Sequence, residues 1–307
     1  MPDFGIFRGF NDKLFGEKLY AGQLPTQLGQ IGSLDFSLLL DSYPNAAVAY
    51  SLRRLRGSYT NSAIRVKRAI DNSEQDIGFV NNQLDIATLQ SFCIGTNGFV
   101  TTWYDQSGNS INVTQTTAAR QPQIVSNGNL YLHQSKPYIF FTDLAVNTLS
   151  VNMTLNYTGF SIFAVANKIA TGNFRATFSR IISFFNASFD DFQNITTNHL
   201  AMINSGFIRA GIDSIKTDVS YSFNQYYIIN QIRDNSLNIN NVGKNNVITN
   251  GTFNGLLNSS TLKIGNNKAE NDCQFNGYMA EIILYPSNQT NNVVGINTNI
   301  NTNYGIY

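Results

Sequence analysis

Charged residues are scarce in this chain. Asp, Glu, Lys and Arg make up 13% of its 307 residues and nearly cancel, leaving a formal net charge of +1. So weak a field gives no electrostatic hold on nucleic acid or an anionic membrane, and neither is expected as a partner. Cysteine is rarer still: Cys93 and Cys273 are two isolated thiols, too few for a disulfide framework. Two free buried thiols are expected, with a Cys93–Cys273 bridge as the alternative. No uninterrupted apolar run approaches the ~18 residues that would mark a membrane helix. The first residues, MPDFGIFRGF, lack a basic segment followed by an apolar one, so no secretory leader is expected there. His133 and His199 have no Cys or carboxylate at metal-ligand spacing, and no zinc site is expected. Phosphate-binding glycine loops, dinucleotide fingerprints and Ser-His-Asp arrangements are also missing, and no cofactor is called for.

What the chain has instead is amide. Its 42 asparagines crowd between Asn224 and Asn303, and 23 glycines add further turn chemistry. Asn tolerates left-handed backbone and suits a protein of many strands and many connections. Short alternating or apolar segments follow one another from Ala46 to about residue 287: VAYSLRRL and AIRVKRA around the hairpin-length loop GSYTNS, FVTTWYD, PYIFFTD, GFSIFAVANKI, RIISFFN, YYIINQI and FNGYMAEIILYPS. LDIATLQSF offers Asp85 as an N-cap for a helical turn or two, and the tail after Gln289 has the makings of a helix. Strands at roughly ten-residue spacing predict an all-β, two-sheet jelly-roll sandwich, concanavalin A-like or laminin G-like, over residues 35–307. Residues 1–34 differ. Phe4, Ile6, Phe7, Phe10 and Phe15 stand among helix-breaking glycines, so this segment is expected to be an arm that docks on another protein.

The segment AAVAYSLRRLRGSYTNSAIRVKRAIDNSEQDIGF, with FVTTWYDQSGNSINVTQ after it, resembles the catalytic domain of the fungal-type α-L-arabinofuranosidase B enzymes and the look-alikes of that domain encoded by bacteriophages. The enzymes carry a similar Tyr-Asp-Gln-Ser-Gly-Asn turn (here Tyr104–Asn109), then Thr-Gln after a short spacer, and a Cys eleven residues before the turn's Tyr, where this chain has Cys93. A near neighbour of that Cys in the enzymes is replaced here by Gly98. The resemblance implies a nucleophilic Glu in the middle of the domain and a later Asp as the acid. This chain has only Glu17, Glu74, Glu270 and Glu281. The segment that corresponds, RIISFFNASFDDFQ, offers Asp190 and Asp191, adjacent residues that would point to opposite faces of a strand. On these residues no enzymatic activity is expected.

Asp71, Glu74 and Asp76 fall near Asp105 in the family's motif order. They could hold a hard cation, or they could pair with Arg53, Arg54, Arg65 and Arg68. The pairing reading places no metal and makes Tyr104, Asp105, Gln106 and Gly108 a structural turn. Aromatics in loops are the better sugar-stacking candidates, and Tyr59, Phe189 and Phe192 qualify. The reading that joins these features is a bacteriophage virion protein, a head or tail fibre component on the virion surface. It would dock on other virion proteins through its arm, assemble as a homo-oligomer, and present a lectin-like domain to glycans. Two alternatives stand beside it: a glycoside hydrolase acting on arabinofuranosyl glycans, and a ligand-free capsid decoration protein.

Overall fold

The computed structural model describes residues 38–170, 178–185, 198–212, 215–252, 257–266 and 273–307. All belong to one compact unit, Leu38–Tyr307. The arm residues Phe4, Ile6, Phe7, Phe10 and Phe15, together with Phe189, Asp190, Asp191 and Phe192, lie outside the described residues.

The unit is all-β. Among the described residues, nineteen strands join in one antiparallel hydrogen-bonded network. Two long runs of pairing make it up. The first runs Glu74–Ile77, Ile64–Arg68, Gly98–Trp103, Val113–Thr114, Leu149–Tyr157, Leu257–Ile264, Phe178–Phe185, Asn198–Ile203, Phe207–Ile212 and Ile215–Ser220. The second runs Val247–Thr249, Ile239–Lys244, Tyr226–Asp234, Gly159–Lys168 and Gly277–Tyr285, the last flanked by Val48–Ser51 and Ile139–Phe141. Gln123–Ser126 pairs with both Gly98–Trp103 and Ile139–Phe141 and so links the two.

The hairpin expected around GSYTNS does not form. Val48–Ser51 pairs with Gly277–Tyr285, while Ile64–Arg68 pairs with Glu74–Ile77 and Gly98–Trp103. All four residues of Val48–Ser51 are buried, whereas Ile64–Arg68 alternates. The two segments therefore belong to different surroundings, and a shared turn would expose one of them.

Helix Ile86–Phe92 starts at Asp85, whose side chain accepts the Thr88 N–H at 3.0 Å. Helix Val293–Tyr304 buries Val293, Ile296, Asn297, Ile300 and Tyr304 along one stripe. The apolar run Gly159–Lys168 is buried almost throughout, as a strand covered on both faces must be. Rings bridge the runs: Tyr50 with Trp103 at 6.0 Å and Phe160 with Phe184 at 6.4 Å between centroids. The asparagine excess has a backbone reason. Among the described residues, nine of the thirteen non-glycine positions at positive φ are Asn.

Candidate functional site

The turn after strand Gly98–Trp103 is held from within. Asp105 is buried, and its oxygens accept the N–H groups of Ala49 at 2.8 Å, Ser107 at 2.9 Å and Ile111 at 3.1 Å, and the Ser107 hydroxyl at 2.7 Å. Gln106, fully buried, accepts the Leu55 N–H and donates to the carbonyls of Ser51 and Arg53. Gly108 sits at φ +100°, a backbone conformation that favours glycine. The turn forms a ridge between two cavities. One, of about 580 Å³, is polar and lined by Tyr59, Asn61, Asp76, Tyr104 and Asn112. The other, of about 800 Å³, is lined by Pro44, Ala46, Met153 and Tyr157; Arg56 and Gly108 border both.

Asp76 opens a longer feature. It opposes Arg65, which opposes Thr102, which opposes Thr114. Thr114 opposes Ser150, then come Lys263, Ser183 and His199. Directly opposed residues point to the same side of a sheet. Eight strands thus align one polar row across the face of the first run. The neighbouring rows are apolar and point the other way: Ile77, Ile64, Trp103 and Val113 at one end, Leu149, Ile264, Ile182 and Leu200 at the other. The row begins exposed at Asp76 and ends buried at Ser183 and His199.

Its ionisable groups have clear causes. Arg65 holds Asp76 through two contacts of 2.8 Å, and the Tyr104 hydroxyl donates to it at 2.7 Å. Together they keep its carboxyl below the ordinary Asp range, so it is an anion and a hydrogen-bond acceptor rather than an acid. Burial first, and the bond to Asp76 second, push Tyr104 up to about 12. Burial and the nearby Arg180 and Arg209 hold His199 well below the usual histidine value.

The acidic trio disperses. Asp71 pairs with Arg68 at 2.6 Å and Asp76 with Arg65, while Arg53 turns instead to Glu281. Among the described residues no three His, Cys, Asp or Glu side chains gather as metal ligands would. Cys93 and Cys273 are both buried and form no disulfide with each other. Tyr59 lines the polar cavity, but only 8% of it is exposed; its hydroxyl donates to the Ser62 carbonyl and its ring meets Phe79 edge-on. Most described carboxylates are committed locally: Asp85 caps a helix, Asp218 pairs with Arg209, and Glu281 is enclosed by Arg53, Ser51 and Tyr304. Asp143 is buried and lies near Lys168. Asp190, Asp191, Glu270 and Asp272 lie outside the described residues.

Comparison with known proteins bears on both fold and chemistry. Residues 41–181, a little under half of the chain, match the family α-L-arabinofuranosidase B, catalytic. A curated relative, the probable α-L-arabinofuranosidase B of Aspergillus flavus, is 38% identical over 74 residues, which cover 24% of this chain and 15% of that protein. A GH54 α-L-arabinofuranosidase soaked with 4-nitrophenyl α-L-arabinofuranoside matches 85% of this chain at TM-score 0.64 and 16% identity. An arabinofuranosidase complexed with arabinofuranosyl-α-1,2-xylobiose matches at TM-score 0.59 and 17% identity. At such identities these two structures establish the fold alone, and the chain spans 64% of the length of each. The expectations of a virion fibre protein, of a place on the virion surface and of a chain without enzymatic activity are overturned, because the matching family and these relatives are glycoside hydrolases. The expectation of no activity had rested on the thin supply of glutamate, which says little when Asp can carry the same carboxyl chemistry; the virion reading had rested on the resemblance to bacteriophage-encoded look-alikes, the missing leader and the aromatic arm. The domain Leu38–Tyr307 resembles the catalytic domain of α-L-arabinofuranosidase B.

Proposed function

We propose that the chain is a glycoside hydrolase acting on α-L-arabinofuranosyl groups of a glycan. The match of residues 41–181 to the arabinofuranosidase B catalytic family carries this reading. The polar row from Asp76 to His199 supports it, since it sets hydroxyl, carboxylate and amine groups along one face where a chain rich in hydroxyls can exchange hydrogen bonds. The same proposal takes the two strand runs as the facing sheets of a jelly roll around one core, and the Tyr104–Asn109 turn as a structural brace beside the cleft.

Glycoside cleavage needs two carboxyl groups. One protonates the leaving oxygen, and the other attacks the anomeric carbon or activates water, at a separation of about 5–5.5 Å for retention and about 6.5–9.5 Å for inversion. Asp105, Glu281 and Asp218 are engaged by donors of their own, and the pair is assigned here to the acids of residues 186–197 and 267–272: Asp190, Asp191, Glu270 and Asp272. Residues 186–197 leave strand Phe178–Phe185 two positions beyond Ser183 and return one position before His199, both of which belong to the polar row. The test is release of 4-nitrophenol from 4-nitrophenyl α-L-arabinofuranoside by Asp190→Asn, Asp191→Asn, Glu270→Gln and Asp272→Asn. At least one variant should lose about 10²–10⁴-fold in kcat. Full activity in all four would remove the assignment.

A further inference from the structure

A second cross-strand row leaves the same outward face and turns onto the other run. On strand Ile64–Arg68, Arg65 belongs to the polar row, and Lys67, two positions on, shares its face. Lys67 opposes Phe99, and a register shift between Arg65 and Val66 keeps Phe99 on the side of Thr102. Phe99 opposes Gln123, Gln123 opposes Phe140, and Phe140 opposes Tyr278. Beyond Tyr278 come buried Asn167 and then Tyr226. Five strand steps, about 24 Å at the usual spacing, separate Phe99 from Tyr226. The flanking positions Val100, Ile124, Ile139, Phe141 and Met279 are all buried in the core, so the row looks outward.

Its rings form one surface. Phe99, Phe140, Tyr278 and Tyr226 are each half-buried, and so is Tyr131, whose hydroxyl donates to Gln123 Oε1 at 3.1 Å. Tyr131, Phe140 and Tyr278 lean on one another, with centroids 5.1–5.5 Å apart and planes 39–58° apart. Tyr278 then meets Tyr226 at 6.3 Å, and His133 closes that end by stacking on Tyr226 at 4.1 Å. Cross-strand ring pairs steady a sheet, and a contiguous aromatic surface that also faces water marks a place where something binds. Charge says what kind of partner fits. Between Phe99 and Tyr226 the row holds no Asp, Glu, Lys or Arg, and at its outer end Lys67 and Glu74 oppose each other. Burial holds His133 below the usual histidine value, so it adds no charge at neutral pH. An uncharged partner with apolar faces and hydroxyl edges matches these rings, their phenol hydroxyls and the Gln123 amide.

We propose that this aromatic row binds the backbone of an uncharged polysaccharide held as an extended, β-1,4-linked ribbon. This rests on the reading of the chain as a glycan-acting protein, and it adds a hold on the polymer that bond cleavage itself does not require. Such a ribbon shows the C–H faces of its pyranose rings above and below and its hydroxyls along its edges, and its repeat is close to one strand step. Tyr131, Phe140 and Tyr278 take the faces, while Gln123 and the phenol hydroxyls take the edges. At Arg65 and Lys67 the aromatic row joins the polar row, so the two make one continuous outward surface.

Isothermal titration of the full chain tests this, with xylohexaose and cellohexaose as ribbon-forming probes and maltohexaose, an α-linked coil, as the control. Saturable binding of at least one ribbon is expected, with maltohexaose at least about tenfold weaker, the ratio that one lost ring contact supplies. Phe140→Leu keeps the apolar bulk and removes the ring, and should weaken ribbon binding about tenfold, whereas Phe140→Tyr should retain it. Tyr131→Leu, outside the strands, covers the case in which Phe140→Leu does not fold. Absence of binding by both ribbons, equal binding of maltohexaose, or undiminished binding in the folded leucine variants would overturn the proposal. These probes carry no arabinofuranosyl group, so no step reads its release. A protein that binds a ribbon but leaves arabinofuranosides uncut counts against the hydrolase reading alone. One that cuts arabinofuranosides but ignores both ribbons counts against this proposal alone.

Discussion

Arg53 and Glu281 form a buried two-point ion pair: Nε donates to one carboxylate oxygen at 2.8 Å and Nη2 to the other at 3.0 Å. The two residues lie on segments paired at opposite ends of the sequence, since Ser51 and Glu281 are register partners. Ser51 donates to the same carboxylate at 2.7 Å and Tyr304 at 3.2 Å, so helix Val293–Tyr304 is tied to the sheet through this group. Glu281→Gln should therefore cost about 3–5 kcal/mol, the usual penalty for leaving a buried charge without its partner. Arg53→Met with Glu281→Leu should recover much of that loss. Urea unfolding of the single and double variants measures both.

Asp105→Ala removes the acceptor for three backbone N–H groups at once. Stranded donors in a buried turn cost about 1–3 kcal/mol, and melting should fall accordingly. In the protein that remains folded, glycan binding should be unchanged. Normal melting with lost binding would place the turn in the ligand site.

Acid should weaken the fold through His199. Its folded pKa is depressed, so below about pH 6.5 the unfolded chain takes up a proton that the folded chain refuses. That contribution is complete above the unfolded pKa and is lost as pH falls toward the depressed folded value, by up to about 1.4 kcal/mol per pH unit. Denaturant titrations at pH 7.5 and 5.0 should show a larger drop for the wild type than for His199→Asn.

Much of the fold was legible locally. Alternation in IRVKR and apolar continuity in FSIFAVAN mark strands whatever they pair with, and the Asp85 cap and the stripe Val293–Tyr304 mark helices. Pairing was not legible. VAYS and IRVKR, with twelve residues (52–63) between them, invite a hairpin, yet Val48 finds Leu284 and Ile64 finds Trp103, because burial on both faces outweighs the short loop. The polar row was hidden for the same reason. Arg65, Thr102, Ser150, Lys263, Ser183 and His199 are ordinary outward positions one strand at a time, and only the register aligns them.

The central claim is hydrolysis. The most direct measurement is the initial rate of 4-nitrophenol release by the full chain from 4-nitrophenyl α-L-arabinofuranoside, set against the β-D-xylopyranoside and β-D-glucopyranoside analogues. The account predicts steady turnover of the arabinofuranoside at least about 10²-fold above the two pyranosides, the discrimination a built sugar pocket supplies. No release above the uncatalysed rate from the arabinofuranoside, under conditions where the protein is folded, would contradict it.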